Sequence, residues 1–131
     1  MKLLLNTHSL LWFTEKNPQL SANAATLIED PLNEIFVSDV SLFEIVIKIA
    51  VGKLRIQGDL PAYINQILLD GLSLLPIRHE HLASYSTIPL IADHRDPFDR
   101  LLLATALCEQ LAIITADEKF SYYKNLVSII W

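Results

Sequence analysis

Short unbroken apolar runs alternate along the chain with longer stretches whose apolar positions recur at helical spacing. Lys2–Leu5 is the first run and reads as a strand. Thr7–Glu15 follows as a helix capped by Thr7 or Asn6. Ser21–Glu29 is a second helix with Ser21 as its N-cap, ended by Asp30 and Pro31. Glu34–Val37 is a second strand. Asp39–Val51 is helical, with apolar positions at Leu42, Phe43, Ile45, Val46 and Ile49, and Gly52 stops it. Leu60–Leu69 is a helix with Pro61 in its first turn, and Leu72–Leu75 is a third strand. Glu80–Ser86 is a short helix, and Pro97–Gln110 is the strongest helix in the chain. Ala112–Thr115 is a fourth strand, Asp117–Tyr123 a short helix and Val127–Ile130 a last strand.

Strands that alternate with helices imply an α/β fold, its parallel strands joined by right-handed crossovers. The runs LLL, IFV, AIIT and VSII show no apolar–polar alternation, so both faces of the sheet are expected to be covered. Open sheets of this kind bind ligands beyond the carboxyl ends of their strands, at the topological switch point. The residues that follow the strands are therefore the ones to inspect: Asn6, Ser38 and Asp117.

Composition narrows the chemistry. A chain of 131 residues suits one domain, spanning 1–131. Its apolar share of 52% is high, so either the sheet is doubly covered or apolar surface is reserved for a partner. A net charge of −5 argues against generic electrostatic binding to nucleic acid, but not against an enzyme that gathers acids around a cation. Three glycines leave no Gly-rich phosphate loop. Cys108 is the only cysteine, so no internal disulfide can form; a buried structural thiol and a cytoplasmic location are expected. Asn6, Thr7 and His8 interrupt the first apolar run too early for a signal peptide, and no stretch is long enough to span a bilayer.

Four segments bring an acid, or its amide, towards one end of the sheet: Asn6, Glu44, the pair Asp96 and Asp99, and Asp117. Each has a purely structural reading. Glu44 stands at capping-box spacing from Ser41 and four residues before Lys48, so an internal ion pair and a metal ligand are equally open. Asp96 before Pro97 is most simply an N-cap, which leaves Asp99 in the first turn, where it suits the helix dipole. Asp117 alone reads as a cap. Together they form a cluster whose mutual repulsion calls for a divalent cation. Such a site supports attack on a phosphodiester by a metal-activated water.

The stretches LLLNTHSLLWF, VSDVSLFEIVIKIAVGKL, LPIRHEHLASYSTIPL, HRDPFDRLLLATAL and IITADEKFSYY, in this order and over nearly the whole chain, resemble a PIN-domain ribonuclease, specifically a VapC-type toxin of bacterial toxin–antitoxin pairs. The resemblance implies a PIN-like three-layer fold, a parallel five-stranded sheet in the order 3-2-1-4-5 with helices on both faces. It implies a Mg²⁺- or Mn²⁺-dependent endoribonuclease, homodimerisation and a cognate VapB-like antitoxin. By motif, Asn6, Glu44, Asp99 and Asp117 become the catalytic and metal positions, with Asp96 subsidiary and Thr115 supporting. The chain departs from the pattern at Asn6, where the family has aspartate. An amide brings no charge to a cation, so impaired cleavage is expected.

Arg95 and Arg100 flank the acids and are candidates to hold RNA phosphates, or else to pair with Asp96 and Asp99. His94 is placed to line the cleft. His79 and His81 are two apart, which on a helix do not face one way, so no histidine metal site is expected. Core or dimer packing is the first expectation for Trp12 and Phe13, and surface packing for Tyr122 and Tyr123. The main rival is a non-catalytic, degenerate PIN domain that binds RNA or antitoxin. A haloacid-dehalogenase-like phosphatase also places an acid after strand one, but Asn6 and His8 do not supply its two aspartates.

Overall fold

The computed structural model describes residues 1–131. The elements in order are β1 (Lys2–Leu5), α1 (Thr7–Glu15), α2 (Ala22–Glu29), β2 (Glu34–Ser38), α3 (Asp39–Ala50), α4 (Leu60–Leu69), β3 (Ser73–Leu75), α5 (His79–Tyr85), α6 (Pro97–Glu109), β4 (Ala112–Ile114), a 3₁₀ segment (Glu118–Tyr123) and β5 (Ile129–Ile130). The five strands form one sheet in the order β3-β2-β1-β4-β5, and every ladder is parallel. Leu5 pairs with Ile114 across the central ladder, and the Asn6 N–H extends it by donating to the Ile114 carbonyl at 3.2 Å.

Successive strand residues point to opposite faces, and here both faces are buried. Leu3, Leu5, Ile35, Val37 and Ile114 join one core beneath α1, α2 and α4. Leu4 and Ile113 join a second core with Leu102, Leu103, Phe120 and Tyr123. This is the three-layer arrangement. The helix α3 contributes to both cores and packs against α1 and α6. It therefore spans the end of the sheet where the chain leaves β1 and β4.

The caps follow local chemistry. Asn6, Ser21, Asp59 and Asp96 each accept a backbone N–H from the first turn of the helix that follows. Gly52 has φ +75, and the bonds Gly52 N–H to Ile49 O and Lys53 N–H to Lys48 O close α3. That closure needs a left-handed residue at this point, which is why glycine ends the helix.

The sequence-based boundaries shift at the edges. Residues 117–123 are expected as a short helix, and form a 3₁₀ segment over Glu118–Tyr123 with Asp117 as its cap. The last strand is shorter than 127–130. The Val127 N–H donates to Tyr123 O in a turn, and the edge strand pairs only at Ile129 and Ile130. No helix is long and apolar enough to cross a membrane.

Candidate active site

The order of strands reverses between β1 and β4, so the crevice beyond their carboxyl ends is the switch point. Asn6 follows β1 and Asp117 follows β4. Both line a cleft of about 240 Å³, together with His8, Trp12 and Ala116. Asn6 is buried, and its Oδ1 accepts the Ser9 N–H at 2.9 Å as the cap of α1. Asp117 is exposed, and its Oδ1 accepts the Lys119 N–H at 2.9 Å. Buried Thr115 braces this turn, its Oγ1 accepting the Asp117 N–H at 3.0 Å.

Glu44 joins from α3. Buried Thr7, the residue after Asn6, donates its hydroxyl to Glu44 Oε1 at 2.6 Å. Glu44 Oε2 faces Lys48 Nζ at 3.3 Å. The ion pair is thus present, and it leaves Glu44 tied to the residue beside Asn6.

Asp99 joins from the first turn of α6. Its Oδ2 lies 3.1 Å from Nε2 of His94, and His94 Nδ1 lies 2.8 Å from the Tyr123 hydroxyl. An ionised carboxylate only accepts, so in the neutral ring Nε2 donates and the Tyr123 hydroxyl donates to Nδ1. His94 is buried, so this chain fixes both the imidazole tautomer and the carboxylate it orients. The Asp99 carboxyl is pushed up to about 6. Burial is the main cause, opposed by the His94 hydrogen bond and reinforced by the charges of Asp96 and Glu44. The charge of Glu44 reaches Asp99, so α3 and α6 bring their acids into one field.

Each acid spends one oxygen on the protein. Asp99 and Asp117 keep the other without a protein partner; that of Glu44 faces Lys48. Asn6 differs in kind. Its single oxygen already accepts one N–H as the cap of α1 and keeps one lone pair without charge, and its other group is an NH₂ that can only donate. An aspartate there would cap with one oxygen and present the second. Glu44, Asp99 and Asp117 do not bring their oxygens within 4.8 Å of one another, the spacing met only by His81, Cys108 and Glu109. The acids are therefore spread more widely than a closed ligand set, and their donors are hard oxygens of the kind Mg²⁺ or Mn²⁺ takes while keeping several waters. The donor set fits such a cation, with Asn6 as its weakest corner. In the other group His81 accepts the Arg78 N–H at Nδ1 and bonds Glu109 at Nε2, 2.7 Å away, so both ring nitrogens are committed.

Asp96 caps α6, its Oδ1 accepting from the N–H groups of Phe98 and Asp99. Arg95 is exposed and makes no ion pair. Arg100 corrects the expectation drawn from the sequence. It is buried, donates to the carbonyls of Pro89 and Ile88 at 2.8 and 2.9 Å, and lies over the Tyr85 ring. It pairs with neither aspartate, and its burial keeps its guanidinium from RNA. Helix geometry explains the reversal: Arg100 is one residue beyond Asp99 and therefore about a quarter-turn round the helix. Trp12 and Phe13 also separate, Phe13 packing on the core while Trp12 lines the cleft. Thr7, read from the sequence only as a cap, is the missed contact; its position beside Asn6 was the available signal.

An open parallel sheet with acids gathered beyond its switch point defines an α/β domain with an acidic crevice at the strand ends. The PIN domain model matches residues 3–126, and the chain belongs to the PIN-domain family. PIN domains are in general nucleases that use divalent metals. No curated protein matches the chain at a significant level. Among solved structures, the chain is similar to one in the complex of VapBC2 from Rickettsia felis with promoter DNA, at 21% identity and TM-score 0.70, covering 99% of this chain and 98% of that one. It is similar to one in VapBC-1 from nontypeable Haemophilus influenzae, at 16% identity and TM-score 0.67, covering 99% and 97%. It is also similar to one in a toxin–antitoxin complex from Klebsiella pneumoniae, at 16% identity and TM-score 0.60, covering 98% and 96%. At these identities the likeness is one of fold.

Proposed function

We propose that this chain is a VapC-type toxin: an Mg²⁺- or Mn²⁺-dependent endoribonuclease that hydrolyses RNA phosphodiester bonds in the cytoplasm, impaired here by Asn6. The observation that carries this reading is the convergence at the switch point. Asn6 and Asp117 share a cleft, Thr7 ties Glu44 to the same place, and Glu44 acts electrostatically on Asp99. Asn6, Glu44, Asp99 and Asp117 are the residues we assign to the metal, with Asp96 subsidiary. When bound, a divalent cation supplies an activated water and stabilises charge on the leaving oxygen. The chain's own residues prepare that chemistry. Thr7, His94 and Thr115 hold the acids or their turns in place, and Arg95, exposed and without an ion pair, is the arginine placed to meet a phosphate.

A cognate antitoxin and a second copy of the chain complete the proposal. Solved chains of this fold in R. felis, H. influenzae and K. pneumoniae come from VapBC or toxin–antitoxin complexes, which supports it. So does a run of exposed apolar side chains on and just after α3: Phe43, Val46, Ile47, Ile49 and Val51. We assign these to a protein partner, which accounts for the high apolar share.

A second reading is a degenerate PIN domain that binds RNA or antitoxin without cutting. Asn6 favours it, because its amide brings no charge to a cation and its one oxygen already accepts the Ser9 N–H. Cleavage of a broad RNA panel with Mg²⁺ or Mn²⁺ by this chain and by Asn6→Asp tests both. The expected result is weak or absent cleavage that the aspartate restores and chelation abolishes. If both are inert and calorimetry finds no cation binding, the nuclease reading fails and the binding module stands.

A further inference from the structure

Trp12 is a large side chain that joins neither hydrophobic core. It is half-buried, on the first helix, and lines the same cleft as Asn6 and Asp117. Its neighbour Phe13, by contrast, packs on the core beneath α1. Two further rings hold the indole. The exposed imidazole of His8 stands 5.8 Å from it at an angle of 43°, and Trp131, from the far end of the chain, stands 5.8 Å away at 59°. Both contacts are tilted. Neither ring is stacked parallel on the indole.

We propose that Trp12, braced by Trp131 and flanked by His8, is a stacking platform for one unpaired nucleobase of an RNA strand whose phosphate enters the cleft beside Asn6 and Asp117. This rests on the ribonuclease reading and adds the substrate contact that reading lacks. Electrostatics points the same way. A chain of net charge −5 gains little from the phosphate backbone, and Arg95 and Lys119 are the exposed cations next to the acids in the chain. An uncharged base suffers no repulsion from Asp117, and every base has a face to stack. Proteins that recognise single-stranded RNA place unstacked bases on aromatic rings in this way. The platform selects single strands, because a base held in a duplex has no free face to offer.

This chain, with Asn6 in place, suits the test, since binding can be measured without turnover. The probes are a short single-stranded RNA of mixed sequence, its fully abasic counterpart and the same RNA in a duplex, each with Mg²⁺ present. Trp12→Ala is expected to weaken binding of the single strand by about tenfold or more, and Trp12→Phe to restore most of it. The abasic strand is expected to be unaffected by either change. Trp131→Phe leaves Trp12 as the only tryptophan, and its fluorescence is then expected to be quenched by the base-bearing strand alone. That readout does not require Trp12→Ala to fold.

The proposal is overturned if the quenching is absent, if Trp12→Ala weakens the abasic and base-bearing strands equally, or if it shifts only the oligomeric state in sedimentation. The last result would make Trp12 a protein-contact residue. If RNA binds and Asn6→Asp cuts it while Trp12 stays silent, this inference falls and the nuclease reading stands. If no RNA binds and Asn6→Asp is inert, the nuclease reading falls with it.

Discussion

Asp99→Asn is expected to stabilise the metal-free protein near neutral pH. The carboxyl is pushed from 3.8 up to about 6, chiefly because α6 and its neighbours bury it, with 20% of the side chain left exposed. The folded chain therefore holds this proton more tightly than the unfolded chain, whose aspartate titrates near its ordinary value. Stability contributed by the proton is complete below about pH 4, is lost as the pH rises towards 6, and is gone above that. A shift of about two units is worth roughly 3 kcal/mol. Asparagine removes the charge and keeps an oxygen that can accept from Nε2 of His94. It forfeits about 0.5 kcal/mol of interaction with the N-terminus of α6. Burial wins, and a net gain of about 2–3 kcal/mol is expected at about pH 7, shrinking towards nothing near pH 4. Urea unfolding followed by circular dichroism across that range measures it. A variant no more stable at neutral pH, or one whose gain is the same at both ends, would refute the reasoning. Mg²⁺ is expected to raise the unfolding midpoint of the unsubstituted chain and to do so less for the variant.

Other perturbations separate structure from site. Asn6→Asp keeps the cap of α1 but buries a charge in the cleft it shares with Asp117, so it is expected to lower the stability of the metal-free protein by about 1–3 kcal/mol in urea unfolding. Its Mn²⁺ affinity in calorimetry should rise steeply, since one unit-charge interaction at about 4 Å is worth roughly 4 kcal/mol gross at an effective dielectric near 20. Thr7→Val removes the 2.6 Å bond to Glu44 at nearly constant volume. A loss of about 1.5–3 kcal/mol is expected in urea unfolding, together with weaker Mn²⁺ binding; unchanged stability would show the bond to be incidental. Arg100→Ala leaves the carbonyls of Ile88 and Pro89 without their donor. It is expected to cost about 2–4 kcal/mol in stability while the RNA affinity of the folded variant stays the same; a selective loss of RNA binding would reinstate Arg100 as a phosphate contact.

The parts of the fold that depend on short-range chemistry were legible. A cap is a contract between one side chain and an N–H two or three residues on, so Ser21, Asp96 and Asp117 could be read directly. Unbroken apolar runs reported burial on both faces of a sheet. Alternation with helices reported parallel strands, and the ends of those strands located Asn6 and Asp117. The strand order itself came from the resemblance, because local periodicity carries no information about which strand lies beside which.

What remained was decided by contacts between distant segments and by direction round a helix. Thr7 meets Glu44 across 37 residues, and His94 meets Tyr123 across 29. Arg95 and Arg100 both flank the acids in sequence, yet one ends in solvent and the other under the segment around Ile88. Trp12 and Phe13 are adjacent, yet one lines the cleft and the other the core. The sequence by itself determined which residues form elements and which strand ends carry polar groups, since those follow from interactions a few residues long. Only the tertiary structure decided which oxygen of each polar group remains free, because that depends on donors delivered from elsewhere in the chain. At Asn6 the one oxygen must also serve the cap, and the charge is missing as well.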